Sequence, residues 1–296
     1  MSSYNKNNYF DEESIINYIN QFMLDGFGDL SDKINKYNRQ LIINYACLNI
    51  NVSKNDVKTT YEVGVLLRDL TTTFNTMNDY EVDKIWRYGS NEHNNYQAIQ
   101  YMKTFSNAIK RSCDAPFTCE EILGMHRSIF KNEYTHTNGE IGAGSFRTDP
   151  LSTFDNRGHL FIHTYPDEIY NAVSNSFQRY ETKRNETVRC SFTYKLGNIC
   201  KLYYDLYNIQ PFSVGNRIIC DIVLCCALMR EGFPFVVTFL LYTEDNRKKL
   251  LDAIEYATYY PLKRDSPLYP ELKQLTSIVT HTIFECISNF HFLQNN

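Results

Sequence analysis

The residues best placed to do chemistry cluster in the segment Asn208-Ile209-Gln210-Pro211-Phe212-Ser213-Val214-Gly215-Asn216-Arg217-Ile218-Ile219-Cys220-Asp221. Gly215 and Asn216 stand at the start of a predicted helix, where backbone N–H groups without helical partners form a ready anion site. Arg217 and Asp221 are four residues apart and can pair along one helix face, an arrangement worth about a few tenths of a kcal/mol. The three histidines upstream, His126, His159 and His163, show no shared metal-ligand spacing and read as surface or capping residues. Nine cysteines occur without CxxC or CxxxH spacing. Five of them (Cys190, Cys200, Cys220, Cys225, Cys226) fall in predicted apolar helices and read as reduced core thiols, with no zinc site.

The elements that must position this segment are almost all helices. Asp11 to Leu24 places Ile15, Ile19 and Phe22 at helical spacing behind an acidic start, and Gly26 ends the pattern. A second helix opens at Ser31 or Asp32 and runs through Leu48, followed by a polar loop over Asn49 to Lys58. Buried patterns resume over Tyr61 to Phe74, Tyr80 to Arg87 and Tyr96 to Ile109. Thr118 and Glu121 form a capping box for a helix reaching Phe130. Asn138 to Arg147 is glycine-rich. Phe154, then Asp155-Asn156-Arg157-Gly158, then Leu160-Phe161-Ile162 signal a hairpin in an otherwise helical chain. Pro166-Asp167-Glu168 opens another helix, since proline and acidic side chains suit a helix N-terminus. Helices follow over Glu186 to Ile209, Asn216 to Arg230, Glu244 to Tyr256 and Leu272 to Phe290.

The chain has 296 residues, of which 43% are hydrophobic and 15% aromatic, enough apolar surface for one large helical core. Only the polar ends, Met1 to Tyr9 and Gln294 to Asn296, are expected to fray. A net charge of −4, with no long lysine or arginine block, argues against a general nucleic-acid binder, whose affinity comes from a basic face. The apolar stretches Ile218 to Met229 and Phe233 to Tyr242 are too short and too interrupted to span a membrane. A cytoplasmic chain is expected.

The 208–221 segment, followed by Leu228-Met229-Arg230-Glu231-Gly232-Phe233-Pro234, resembles the Fic family, whose loop reads H-P-F-x-[D/E]-G-N-G-R-x-x-R. The trailing Arg-Glu-Gly-Phe-Pro sets the register without a gap. Glu120 to His126, Gly144-Ser145-Phe146-Arg147-Thr148, the hairpin and Pro166 to Ile169 recur in that family's order. The resemblance covers about Tyr61 to Phe290. It implies an all-α Fic-like bundle over 59–296 with a small β-hairpin flap; residues 1–58, the N-terminal tail and helical pair read from the spacing above, lie outside it.

In the family, the loop histidine takes a proton from a target hydroxyl, which attacks the α-phosphate of a nucleotide such as ATP and leaves AMP on the protein. Gln210 occupies the base position, and an amide does not titrate near neutral pH. Val214 occupies the position of the carboxylate that holds magnesium, and it has no side-chain oxygen. Ile218 and Asp221 replace the two phosphate-clamping arginines, and Asp221 adds repulsion for an anion. Arg217 replaces a glycine, so its Cβ is expected to deform the phosphate nest. A one-residue deletion would match Arg217 and Cys220 to the arginine positions instead, at the loss of the downstream register.

Thr59 to Gly64 lies where many members carry an autoinhibitory helix. The arginine that Glu62 would meet there is replaced by Asp221, so an ordinary helix glutamate is expected. The flap recruits targets by strand addition in the family, a mode that needs only backbone groups, so Ser152, Thr153, Phe154, His159, Leu160, Phe161 and Ile162 remain a candidate peptide-binding site. The expectation is therefore a catalytically inert Fic-fold binding module for a protein or ribonucleoprotein partner, for example an occluding, silencing or ribosome-associated factor, needing no cofactor or metal. Two rivals stand beside it. One is a divergent AMP transferase using ATP and magnesium, with Asp221, Tyr207 or Cys220 in a rearranged site. The other is a regulator that binds nucleotide at Gly215, Asn216 and Arg217 without turnover.

Overall fold

A computed structural model describes residues 11–27, 30–53, 92–112, 115–130, 142–154, 158, 160–237, 244–259 and 270–294. The expected helices in 54–91, the Thr59–Gly64 segment, His159, Met1 to Tyr9, Asn295 and Asn296 fall outside these residues, while Gln294, expected to fray, closes the last helix.

Helix α1 (Glu12–Asp25) is capped at its start by Asp11, whose carboxylate accepts from the Ser14 N–H at 2.7 Å. It ends at Gly26, which adopts a positive φ of 74°. Ile15, Ile19 and Phe22 form its buried stripe. Helix α2 (Ser31–Ser53) continues through residues 49–53, where the sequence suggested a loop. No glycine or proline interrupts the segment, and polarity alone does not stop a helix. Helix α3 (Glu92–Ser112) follows, then α4 (Cys119–Phe130). Thr118 caps α4 by accepting from the Glu121 N–H at 3.1 Å.

Strands β1 (Ser152–Phe154) and β2 (Leu160–Ile162) pair antiparallel, with Ser152 opposite Ile162, Thr153 opposite Phe161 and Phe154 opposite Leu160. A 3₁₀ turn over Pro166–Glu168 leads into α5 (Ile169–Glu186). A helix was expected to run from Glu186 straight to Ile209; instead the chain turns at residues 187–190 and restarts as α6 (Phe192–Ile209). Two local hydroxyls explain the break. The Thr187 hydroxyl donates back to the Lys183 and Arg184 carbonyls, and Ser191 caps α6. Cys190, expected in a helix, is exposed in this turn. Helix α7 (Asn216–Arg230) spans the predicted residues, α8 covers Glu244–Tyr259, and a second 3₁₀ turn (Pro270–Leu272) opens α9 (Lys273–Gln294).

The antiparallel pair α6–α7 forms the centre. Helix α7 is buried over most of its length and packs on α3, α4 and α6, while α5, α9 and α1 close around α6. The end of α7 is locked by ion pairs: Arg230 with Glu181, and Glu231 with both Arg184 (2.8 Å) and Lys195 (2.9 Å). The Arg-Glu-Gly-Phe-Pro run is thus an anchor joining α5, α6 and α7. The N-terminal pair is tied to the same anchor. Asn38 of α2 donates to the Pro234 carbonyl (2.7 Å) and accepts from the Val236 N–H (2.9 Å), and Tyr37 packs on Phe235 and Phe290. No helix among the described residues is long and apolar enough to cross a membrane.

Candidate functional site: the loop between the two central helices

Helix α6 ends at Gln210, which caps it in the left-handed conformation (φ 48°, ψ 64°). It is the sole non-glycine residue with positive φ among those described, a conformation that costs an L-residue about 1 kcal/mol or more. The Gln210 side chain offsets this by folding back: its Nε2 donates to the Tyr207 carbonyl at 2.7 Å. Its backbone N–H donates to the Leu206 carbonyl at 3.2 Å. Both groups satisfy carbonyls that a helix C-terminus leaves open. The amide therefore serves as a helix cap.

Three buried side chains hold the loop from outside: Arg147, to which the sequence assigned no role, and two of the histidines. Arg147 is buried, and its guanidinium donates only to backbone carbonyls among the contacts seen: Gln210 (2.8 Å from Nε), Asp149 (2.7 Å from Nη1), Thr164 and Ile209. Its backbone N–H donates to Pro211 O at 2.9 Å. One planar fork thus joins the feet of the hairpin to the end of α6, and its charge meets the negative end of that helix dipole. The available sequence signal was an arginine in the glycine-rich run Gly144-Ser145-Phe146-Arg147.

His163, expected as a surface or capping residue, is buried. Its Nδ1–H donates to Asn208 O at 2.9 Å, and its Nε2 accepts from the Thr153 hydroxyl at 3.0 Å, so it fastens β1 to α6. Burial holds its pKa below the usual histidine value. His126 corrects the same expectation more sharply. It is almost fully buried, stacks face to face on Phe212 at 4.0 Å, donates from Nε2 to Val214 O at 3.1 Å and accepts the Gly144 N–H on Nδ1 at 3.0 Å. Both ring nitrogens are matched by backbone groups only if the ring is neutral. Burial pulls its pKa down to about 4, partly opposed by the bond to Val214.

Inside the loop, Asn216 behaves like a short piece of strand. Its Oδ1 accepts from Phe212 N and its Nδ2 donates to Phe212 O, each at 2.7 Å, all buried. Gly215 has φ 76°, and a Cβ there would lie 2.3 Å from the Phe130 ring. The left-handed residue at the start of α7 is thus Gly215. Arg217 lies within the first turn of α7 and does not have a positive φ, so its Cβ meets no left-handed strain there. Val214 and Ile218 are half-buried against the core. Asp221 is 1% exposed and accepts from the Tyr203 hydroxyl at 3.1 Å, which places it in the helix-packed interior rather than on a solvated face. Burial drives the Cys220 thiol well above its ordinary pKa. Together the structure brings Gln210, Val214, Gly215 and Asn216 into one rigid turn, with the hairpin fastened beside it.

No protein-family profile matches the sequence, and no curated protein matches it. Solved structures do. A Fic domain containing signaling protein from Bacteroides thetaiotaomicron superposes with a TM-score of 0.64 at 15% identity, over 92% of this chain and 96% of that one. A Fic family protein from Desulfovibrio desulfuricans gives 0.58 at 14% identity, over 96% of this chain and 77% of the other. Fic-1 from C. elegans gives 0.53 at 16%, over 96% and 75%. A helical body with a small antiparallel hairpin, built around two central helices and matched at this coverage, identifies the architecture: the chain has the Fic fold.

Proposed function

We propose that this chain is a Fic-fold module without nucleotidyl-transfer chemistry, which acts by holding a protein partner at its hairpin. The observation that carries the reading is the commitment of Gln210: its amide is bonded to Tyr207 O as the cap of α6, and an amide has no pKa with which to act as a base. The other donors point the same way. Residues 210–217 contain no carboxylate, the Val214 carbonyl is taken by His126, and Asp221 is buried beneath the Tyr203 hydroxyl. That donor set does not suit a magnesium-held nucleotide, which requires hard oxygen ligands facing the phosphates. Cys220, with its thiol pushed up by burial, does not serve as a replacement nucleophile.

The hairpin retains what binding needs. Its strands are largely exposed, and among the described residues neither pairs with a third strand, so both edges have backbone groups available to a peptide. A second reading, a nucleotide-binding regulator without turnover, draws on the start of α7, where Gly215 is the N-cap and no side chain caps the first N–H groups.

The test is incubation of the chain with α-³²P-ATP and magnesium, with and without a lysate as target, beside a thermal-shift titration. The expected result is no transferred label and no shift. A Kd of about 100 μM would stabilise the protein by over about 1 kcal/mol at about 1 mM nucleotide, an effect such a titration detects. Label on a protein hydroxyl overturns the proposal; a shift without label favours the regulator.

A further inference from the structure

The hairpin has two unlike faces, and this inference rests on reading it as a docking element. Cross-strand partners and residues two apart share a face. Thr153 and Phe161 lie on the inner face, where Thr153 bonds His163 and the Phe161 ring meets the His163 ring at 4.9 Å. Phe154, Leu160 and Ile162 lie on the other face with Ser152, and they are 74%, 56% and 56% exposed. Three large apolar side chains on one small outward face are far more than a solvated flap requires.

Among the described residues, the exposed charges at the two feet of the hairpin are all acidic. The Arg147 guanidinium holds the Asp149 and Thr164 carbonyls, so the two feet of the hairpin lie together. Asp149 is exposed at one foot; Asp167 and Glu168 are exposed just beyond the other, in the 3₁₀ turn that follows Tyr165. Arg147 is the sole arginine or lysine among the described residues of 142–170, and it is buried. The connecting sequence Asp155-Asn156-Arg157-Gly158 adds no net charge. An apolar face with an acidic rim repels phosphates of nucleic acids and anionic lipid headgroups and attracts cationic side chains.

We propose that the outward face of the hairpin docks an extended segment of a partner protein in which apolar side chains alternate with lysine or arginine. The apolar side chains cover Phe154, Leu160 and Ile162, and the basic ones reach Asp149, Asp167 and Glu168.

Fluorescence anisotropy with the full chain tests this, using a labelled peptide alternating valine and phenylalanine with lysine, its glutamate counterpart, and the lysine peptide N-methylated at alternate residues. The lysine peptide binds at least about tenfold more tightly than the glutamate peptide, and the difference shrinks at high salt. Phe154→Ser and Ile162→Ser each weaken binding by about tenfold without moving the melting temperature, because both side chains are exposed. The triple change Asp149→Lys, Asp167→Lys, Glu168→Lys reverses the peptide preference. Equal affinity for both peptides overturns the proposal, as does absence of binding, or sedimentation showing that a second copy of the chain covers the face. Binding that ignores the face substitutions but is abolished by N-methylation also overturns it, while leaving strand addition at the edge intact. Label transfer from ATP would refute the catalytic part of the functional reading without touching this one.

Discussion

Protonation of His126 should loosen the loop, and the size of the effect follows from its contacts. In the folded chain the ring is neutral, with Nε2–H on Val214 O and the Gly144 N–H on Nδ1. Adding a proton at Nδ1 sets two donors face to face at 3.0 Å in a buried site. The folded pKa is about 4 against an ordinary 6.5, with burial as the main cause. A folded pKa below the unfolded one means stability that is complete above about pH 6.5 and is lost as pH falls toward 4. At about 1.4 kcal/mol per pKa unit, the difference between 6.5 and about 4 corresponds to about 3 kcal/mol.

Urea denaturation of the parent and His126→Gln between pH 7.5 and 4.5 measures this, because titration of all other groups is common to both proteins. The variant should be less stable than the parent at pH 7.5, and the gap should close by about 2–3 kcal/mol by pH 4.5. Its amide keeps one donor and one acceptor for Val214 and Gly144 but does not titrate. His163, whose pKa is also held down by burial, contributes in the same direction and persists in both proteins. Parallel stability curves across the pH range would refute the assignment of a neutral, backbone-locked His126.

Three further outcomes check the loop. Asn216→Ala strands the buried Phe212 N–H and carbonyl and should cost about 2–4 kcal/mol by chemical denaturation. Gly215→Ala meets both a left-handed backbone and the Phe130 ring and should cost about 2–4 kcal/mol; pairing it with Phe130→Leu should recover part of that loss. Arg147→Lys keeps the charge but loses the planar fork across four carbonyls, so hydrogen exchange should speed up in the hairpin feet and at residues 209–211 before global stability falls.

Much of the architecture was legible because its signals are local. Asp11 with Ser14, Thr118 with Glu121, Gly26 at a helix end and the alternating hairpin residues each act within a few positions, so short windows reveal them. The Asn216–Arg230 helix was readable from its largely apolar composition. The stop at residues 187–190 was less visible, since Thr187 and Ser191 are ordinary helix residues until their hydroxyls bond locally.

By itself, the amino-acid order determined which chemical groups the loop contains: an amide at 210, an aliphatic side chain at 214, and no carboxylate between 210 and 217. It also determined the helical class of the chain. Only the tertiary structure decided what holds that loop. His126 reaches Val214 across 88 positions and Arg147 reaches Gln210 across 63, so neither contact leaves a periodic trace in the chain. Burial, which makes both of them backbone-bonded interior groups, is a property of packed helices rather than of any residue type.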